Sequence, residues 1–116
     1  MAGALGTLAR YGLQLLAQSL VPGSFPWGTL AVNSLGCFLF GLVWALAGER
    51  LVLSPESRIT VLVGFLGAFT TWSSYIFETA RMIRAAEWLA AGTNILAQHV
   101  LGFATFFAGL GIGGLL

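Results

Sequence analysis

The sequence predicts an all-α membrane protein with four transmembrane helices. Three observations carry this. Charged residues make up 8% of the 116 positions, against about a quarter in an ordinary soluble domain. Mean hydropathy is +0.92. The few charges (Arg10, Glu49, Arg50, Glu56, Arg58, Glu78, Arg81, Arg84 and Glu87) leave uncharged runs between them. Those runs are long enough for the ~20 residues with which a helix crosses the hydrocarbon.

The elements follow in order. Residues 2–21 form the first span, ended by the turn chemistry of Pro22-Gly23-Ser24-Phe25-Pro26. The second is 27–48, uncharged throughout. A polar loop covers 49–57, where Ser54-Pro55-Glu56 reads as a helix start. The third span is 58–82, and Arg84–Glu87 is a charged joint. The fourth, 88–116, exceeds what crossing needs, so it tilts or extends past the lipid. The whole chain, 1–116, is then one integral membrane domain. The N-terminus shows neither a basic n-region nor a cleavage site, and no signal peptide is expected.

Each span carries a stripe of small and polar residues at helical spacing. These are Gly3, Thr7, Arg10, Gln14 and Gln18; then Thr29, Asn33, Gly36 and Gly48; and in the fourth Asn94, Gln98, Gly102, Thr105 and Gly109. Lipid gives helices no hydrophobic reason to associate, so small residues and interhelical hydrogen bonds do that work. For the first span and most of the fourth, a packing seam is the simpler reading.

The third span differs. Gly64-Phe65-Leu66-Gly67-Ala68-Phe69-Thr70-Thr71-Trp72-Ser73-Ser74-Tyr75-Ile76-Phe77-Glu78 sets glycines, hydroxyls, two polar aromatics and a carboxylate inside an apolar segment. Hydrocarbon satisfies none of these groups, so they must face protein or an aqueous path. Glycines beside hydroxyls also let a helix unwind and turn carbonyls inward, as ion sites require. The third helix is therefore expected to break mid-membrane.

Composition narrows the function. Net charge +1 without a basic patch argues against nucleic acid. Cys37 is the one cysteine and reads as a small apolar filler; His99, the one histidine, reads as a neutral packing residue. No nucleophile–base pair, phosphate loop or metal-ligand spacing is present, so no enzyme is expected. Arg10, Arg50 and Arg58 lie toward one side and Arg81 and Arg84 toward the other, which hardly biases insertion. Balanced charge permits both orientations. Four short helices also enclose little interior, and the two facts together point to an oligomer.

Three blocks recur in a known family. They are Ala9-Arg10-Tyr11, then Phe25-Pro26-Trp27-Gly28-Thr29-Leu30-Ala31-Val32-Asn33-Ser34-Leu35-Gly36-Cys37-Phe38, then Gly64 through Tyr75 with Glu78 beyond. In this order and spacing they resemble the Fluc (CrcB) fluoride channels of microorganisms, over nearly the whole chain. The resemblance implies a passive channel of the prokaryotic plasma membrane that exports fluoride and lowers its cytoplasmic toxicity. It implies four-helix subunits paired head-to-tail as an antiparallel, dual-topology homodimer with two pores. A structural sodium ion is implied at the dimer centre, held by the backbone carbonyls of Gly67 and Thr70. The pore asparagine of the family matches Asn33. Its two pore phenylalanines match Trp72 and Tyr75, a departure from the usual pair. Asn94 and Gln98 fall where the family often has Tyr and Ser.

The residues support that assignment independently. Fluoride is small and strongly hydrated, so a pore must replace its water with donors without trapping the ion. Asn33 offers an amide; Thr71, Ser73 and Ser74 offer hydroxyls. Aromatic rings present a positive edge, and Trp72 and Tyr75, three apart, share a helix face. Reading them as interfacial anchors fits their depth less well. Arg10, Glu78 and Gln98 are candidate vestibule or structural residues. Arg10 either draws anions or anchors the helix, and Glu78 is expected near the far interface as a hydrogen-bonded group.

Two rivals stay open. A small proton-coupled multidrug exporter has this size and topology, but needs an acid at mid-membrane, where the first span offers only Gln14. The chain is alternatively one half of a heterodimer, with a paralogue supplying the phenylalanines.

Overall fold

A computed structural model describes residues 1–49 and 53–116, with Glu49 described through its backbone alone. Arg50 and part of the loop expected over 49–57 lie outside the described residues. The described chain is helical and contains no strand.

Helix α1 spans Ala2–Leu20 and stops where Val21 turns extended. The Pro22–Pro26 turn has two residues without an N–H, so its carbonyls need outside donors. Gln18 supplies them. Its Nε2 donates to the carbonyls of Gly23 and Phe25, both at 3.1 Å, and its Oε1 accepts from the Gly28 N–H at 3.3 Å. Helix α2 runs Trp27–Glu49.

The third segment is built in pieces. Ser54 caps α3 (Pro55–Ile59), its hydroxyl accepting from the Ser57 N–H at 3.2 Å. Pro55 takes the first turn, where a missing N–H costs nothing. Helix thus begins at Pro55, inside the stretch expected as loop. A π-helix covers Thr60–Leu66, α4 covers Gly67–Phe69, and α5 covers Trp72–Arg84. Ala86, with φ 58°, turns the chain into α6, Trp88–Leu115.

Helices α2 and α6 form the most extensively packed pair. They run in the same direction. Gly109 meets the Phe38 carbonyl, and one turn on Gly113 meets Leu42. A Cβ at Gly109 would collide with the Phe38 carbonyl oxygen, so glycine permits backbone-to-backbone approach, the usual way helices pack in lipid. Helix α1 packs on α2, α4 and the π-helix. Val32, Leu62, Leu66, Phe69, Tyr75 and Met82 fill the interior.

The subunit measures 50 × 29 × 22 Å, longer than the ~40–45 Å of a whole bilayer. Among the described residues, three segments are long and apolar enough to cross it: Trp27–Gly48, Pro55–Arg84 and Trp88–Leu115. The 19-residue α1 carries Arg10, Gln14 and Gln18 and is not among these three. The chain is an integral membrane protein. Only 6% of the apolar window of α6 is buried within the subunit, so lipid or another chain must cover the rest.

Candidate functional site

The site grows from the junction between α4 and α5. Thr70 (φ −79°, ψ 159°) and Thr71 (φ −145°, ψ 110°) are extended. The Thr71 N–H would ordinarily bond the carbonyl four residues back, at Gly67. It donates instead to Asn33 Oδ1 at 2.8 Å, while Asn33 Nδ2 donates to the Thr71 carbonyl at 3.1 Å. One amide on α2 therefore holds both backbone polar groups of Thr71, the residue at which the chain leaves the helix. The Gly67 carbonyl gives up its helical partner in consequence. Thr71 also caps α5. Its hydroxyl accepts from the Ser74 N–H at 3.3 Å and donates to Ser74 Oγ at 3.0 Å. Gly36 makes room for the junction, since a methyl there would run into the Thr70 side chain.

Beside the junction lies a cavity of about 230 Å³. Helix α2 contributes Asn33 and Cys37, the junction Thr70 and Thr71, α5 Trp72 and Tyr75, and α6 Gln98 and His99. The three rings form a cluster of edge contacts. Trp72 and Tyr75 centroids are 5.0 Å apart, and His99 lies 6.3 Å from Trp72 and 6.1 Å from Tyr75. Tyr75 is 3% exposed and Trp72 65%, so the cluster runs from the interior to the outer surface.

The donors sort by what already engages them. Both protons of Asn33 Nδ2 have acceptors, Thr71 O and Gln98 Oε1, the latter at 3.2 Å. The Thr71 backbone fixes which way Asn33 points, and Asn33 then fixes Gln98. That leaves Gln98 Nε2 buried and without a partner. A buried amide with two idle protons is costly and wants an acceptor. The Tyr75 hydroxyl and the Trp72 indole N–H make no hydrogen bond among the described residues either. These are neutral donors on residues that line the cavity.

The other expected residues fall elsewhere. Ser74 supports the cap and does not line the cavity, and Ser73 is exposed. Asn94 is fully buried and donates to Thr79 Oγ1 at 2.9 Å, which donates to the Tyr75 carbonyl at 2.8 Å, tying α6 to α5. Glu78 Oε1 accepts from Thr29 at 2.8 Å, and Thr29 in turn accepts from Gln14 Nε2 at 3.2 Å. Glu78 also lines a second cavity of about 420 Å³ with Arg81, Arg84, Glu87 and Ser24. Arg10 is half-buried without a partner among the described residues. Gly67 is exposed, and Thr70 donates its hydroxyl to the Leu66 carbonyl at 3.2 Å. Cys37 and His99, read as filler and packing, are wall residues of the first cavity. Nothing in a lone Cys or His could have signalled this, because the partners that define the wall come from other helices.

Comparison with known proteins gives one consistent result. Residues 1–110 match the family model described as "CrcB-like protein, Camphor Resistance (CrcB)". A protein of Nitrosococcus oceani named "Fluoride-specific ion channel FluC" is 53% identical over 112 residues, covering 97% of this chain and 90% of its own length. Proteins of the same name from Solidesulfovibrio magneticus and Nitratidesulfovibrio vulgaris strain Miyazaki F are 51% and 48% identical, each over the full 116 residues and 93% and 94% of their own lengths. The chain that folds around the Asn33-clamped junction belongs to the CrcB family.

Proposed function

We infer that the protein is a passive, fluoride-selective ion channel that exports fluoride across a prokaryotic plasma membrane and so limits its toxicity in the cytoplasm. One observation carries this beyond the relatives' names. Among the described residues, a cavity between apolar helices is lined by neutral donors, one of them buried and idle, and by no carboxylate, Lys or Arg. Neutral donors replace the hydration of a small anion yet release it, as conduction requires. Trp72, Tyr75 and Gln98 donate to the ion. Asn33 and Thr71 shape the path by holding the junction, and Ser74 supports them. The cavity with Glu78, Arg81 and Arg84 is a wetter mouth nearer the span end. Arg10 anchors α1 or adds to the field at the mouth.

In this reading the third span is broken mid-membrane, all four helices cross, and two subunits pair antiparallel as a dual-topology homodimer. The bare face of α6 and the exposed Trp72 support a second chain at these surfaces. The freed Gly67 carbonyl, on an exposed residue, fits a structural sodium ion at the dimer centre, with Thr70 contributing its carbonyl. Bound there, sodium would supply a fixed positive charge near the anion path and a link between subunits. A paralogue in place of the second copy is the variant to test.

The test is efflux from liposomes carrying the purified protein, read with fluoride- and chloride-selective electrodes. Fluoride should leave rapidly and chloride should not, without an imposed proton gradient. Flux should fall when a large organic cation replaces sodium. Efflux that requires a proton gradient would transfer the assignment to the proton-coupled exporter.

A further inference from the structure

We propose that His99 is a proton-dependent anion donor in the first cavity, so that binding of the anion and binding of a proton to this imidazole strengthen one another. The inference rests on the channel reading and adds a group that it does not use.

The ring's Nδ1 lies 2.8 Å from the Ile95 carbonyl on its own helix. A carbonyl only accepts, so Nδ1 carries the proton in the neutral ring. Nε2, on the opposite side of the ring, is then a lone pair and an acceptor. It has no hydrogen-bond partner among the described residues. The ring lines the cavity together with Gln98 and packs edge-on to Trp72 and Tyr75. In the neutral form Nε2 has only a lone pair and no proton to give an anion. Taking one proton from solvent at Nε2 changes both terms. The nitrogen becomes a donor, and the wall gains a full positive charge.

The neighbours sharpen the effect. Helices α2 and α5 pack against α6 here, and the titratable groups they place on the cavity are Cys37 and Tyr75. Among the described residues, no Asp, Glu, Lys or Arg lines it. Glu78, Arg81 and Arg84 of α5 line the other cavity. A protonated His99 would thus be the one formal charge on this wall among the described residues. Histidine changes charge between pH 5 and 8, where fluoride stays ionised and the channel would work. The sign is fixed: acid favours anion binding, and the anion favours the protonated ring by the same factor.

The chain has a single histidine, which makes the test clean. The protein is labelled at histidine Cε1, reconstituted, and titrated by NMR with sodium fluoride or sodium chloride at matched ionic strength. Fluoride should raise the midpoint by about one pH unit, a roughly tenfold coupling within the usual range, and chloride should raise it less. Efflux at limiting fluoride should rise as pH falls from 8 to 5 in the natural protein, and the profile of His99→Asn should be flat. A midpoint indifferent to fluoride, or pH profiles that superimpose, overturns the proposal. Absence of any fluoride efflux would instead remove the channel reading, and the NMR midpoint would still decide whether the cavity binds the anion with a proton.

Discussion

At the scale of residues, Asn33 does more than the sequence could tell. Its side-chain type marked it as a donor in an apolar span. Its structural role is to hold both the N–H and the carbonyl of Thr71, which leaves Gln98 Nε2 as the idle donor. That division depends on which atoms meet across 38 and 65 residues of chain, and no periodicity encodes it. Two substitutions separate the roles. Asn33→Ala leaves the Thr71 N–H and carbonyl unpaired and should destabilise the protein by about 1–3 kcal/mol, read as a lower unfolding temperature in detergent. Asn33→Asp keeps the acceptor for Thr71 N–H but turns a negative oxygen toward the Thr71 carbonyl and Gln98 Oε1. It should cost more stability than Ala and abolish anion flux. Equal stability and flux in the two variants would mean that the clamp is not the residue's main contribution.

At the scale of elements, most of the architecture was legible because membrane helices advertise themselves by length and apolarity. The turn at Pro22–Pro26 and the start at Ser54-Pro55 are local chemistry and fall where read. The π-helix over Thr60–Leu66 was not legible. It carries no signature residue, and it packs against α1, where Gly6 meets the Phe65 carbonyl. Glycine roles divide in the same way. Gly109→Ala would drive a methyl onto the Phe38 carbonyl of α2, an overpacking worth roughly 1–3 kcal/mol. At Gly67 a Cβ meets nothing closer than the Leu62 carbonyl oxygen at 3.9 Å. Gly67→Ala should therefore leave the subunit's helicity and folding intact while weakening dimer formation, if a second chain faces that carbonyl. Cross-linking yield against unfolding temperature measures both. Loss of subunit folding in Gly67→Ala would show that its surroundings are tighter than described.

At the scale of the whole molecule, Arg58 and the pair Arg81 and Arg84 sit at opposite ends. Arg58 stacks on Trp44, 4.2 Å from the ring centroid, at the end of α2, while Arg81 and Arg84 line a cavity with Ser24 and Pro26 at its start. Such balance gives the insertion machinery little bias. A C-terminal tag should be accessible from both sides of the membrane in one preparation, and two lysines added to the 49–57 loop should bias it to one side and reduce flux. A single orientation in the natural protein would favour a paralogous partner. The central claim is that anions pass through the cavity walled by Asn33, Trp72, Tyr75 and Gln98. It is tested most directly by the initial rate of fluoride efflux from liposomes for Tyr75→Ile and Tyr75→Phe beside the natural protein, at matched amounts of reconstituted protein. The phenyl ring keeps its positive edge, so Tyr75→Phe should conduct. Ile offers neither edge nor donor and should lose at least about tenfold in rate, the ~1.4 kcal/mol that one such interaction is worth. Normal fluoride efflux through Tyr75→Ile would place the path on another face of the protein and contradict the account.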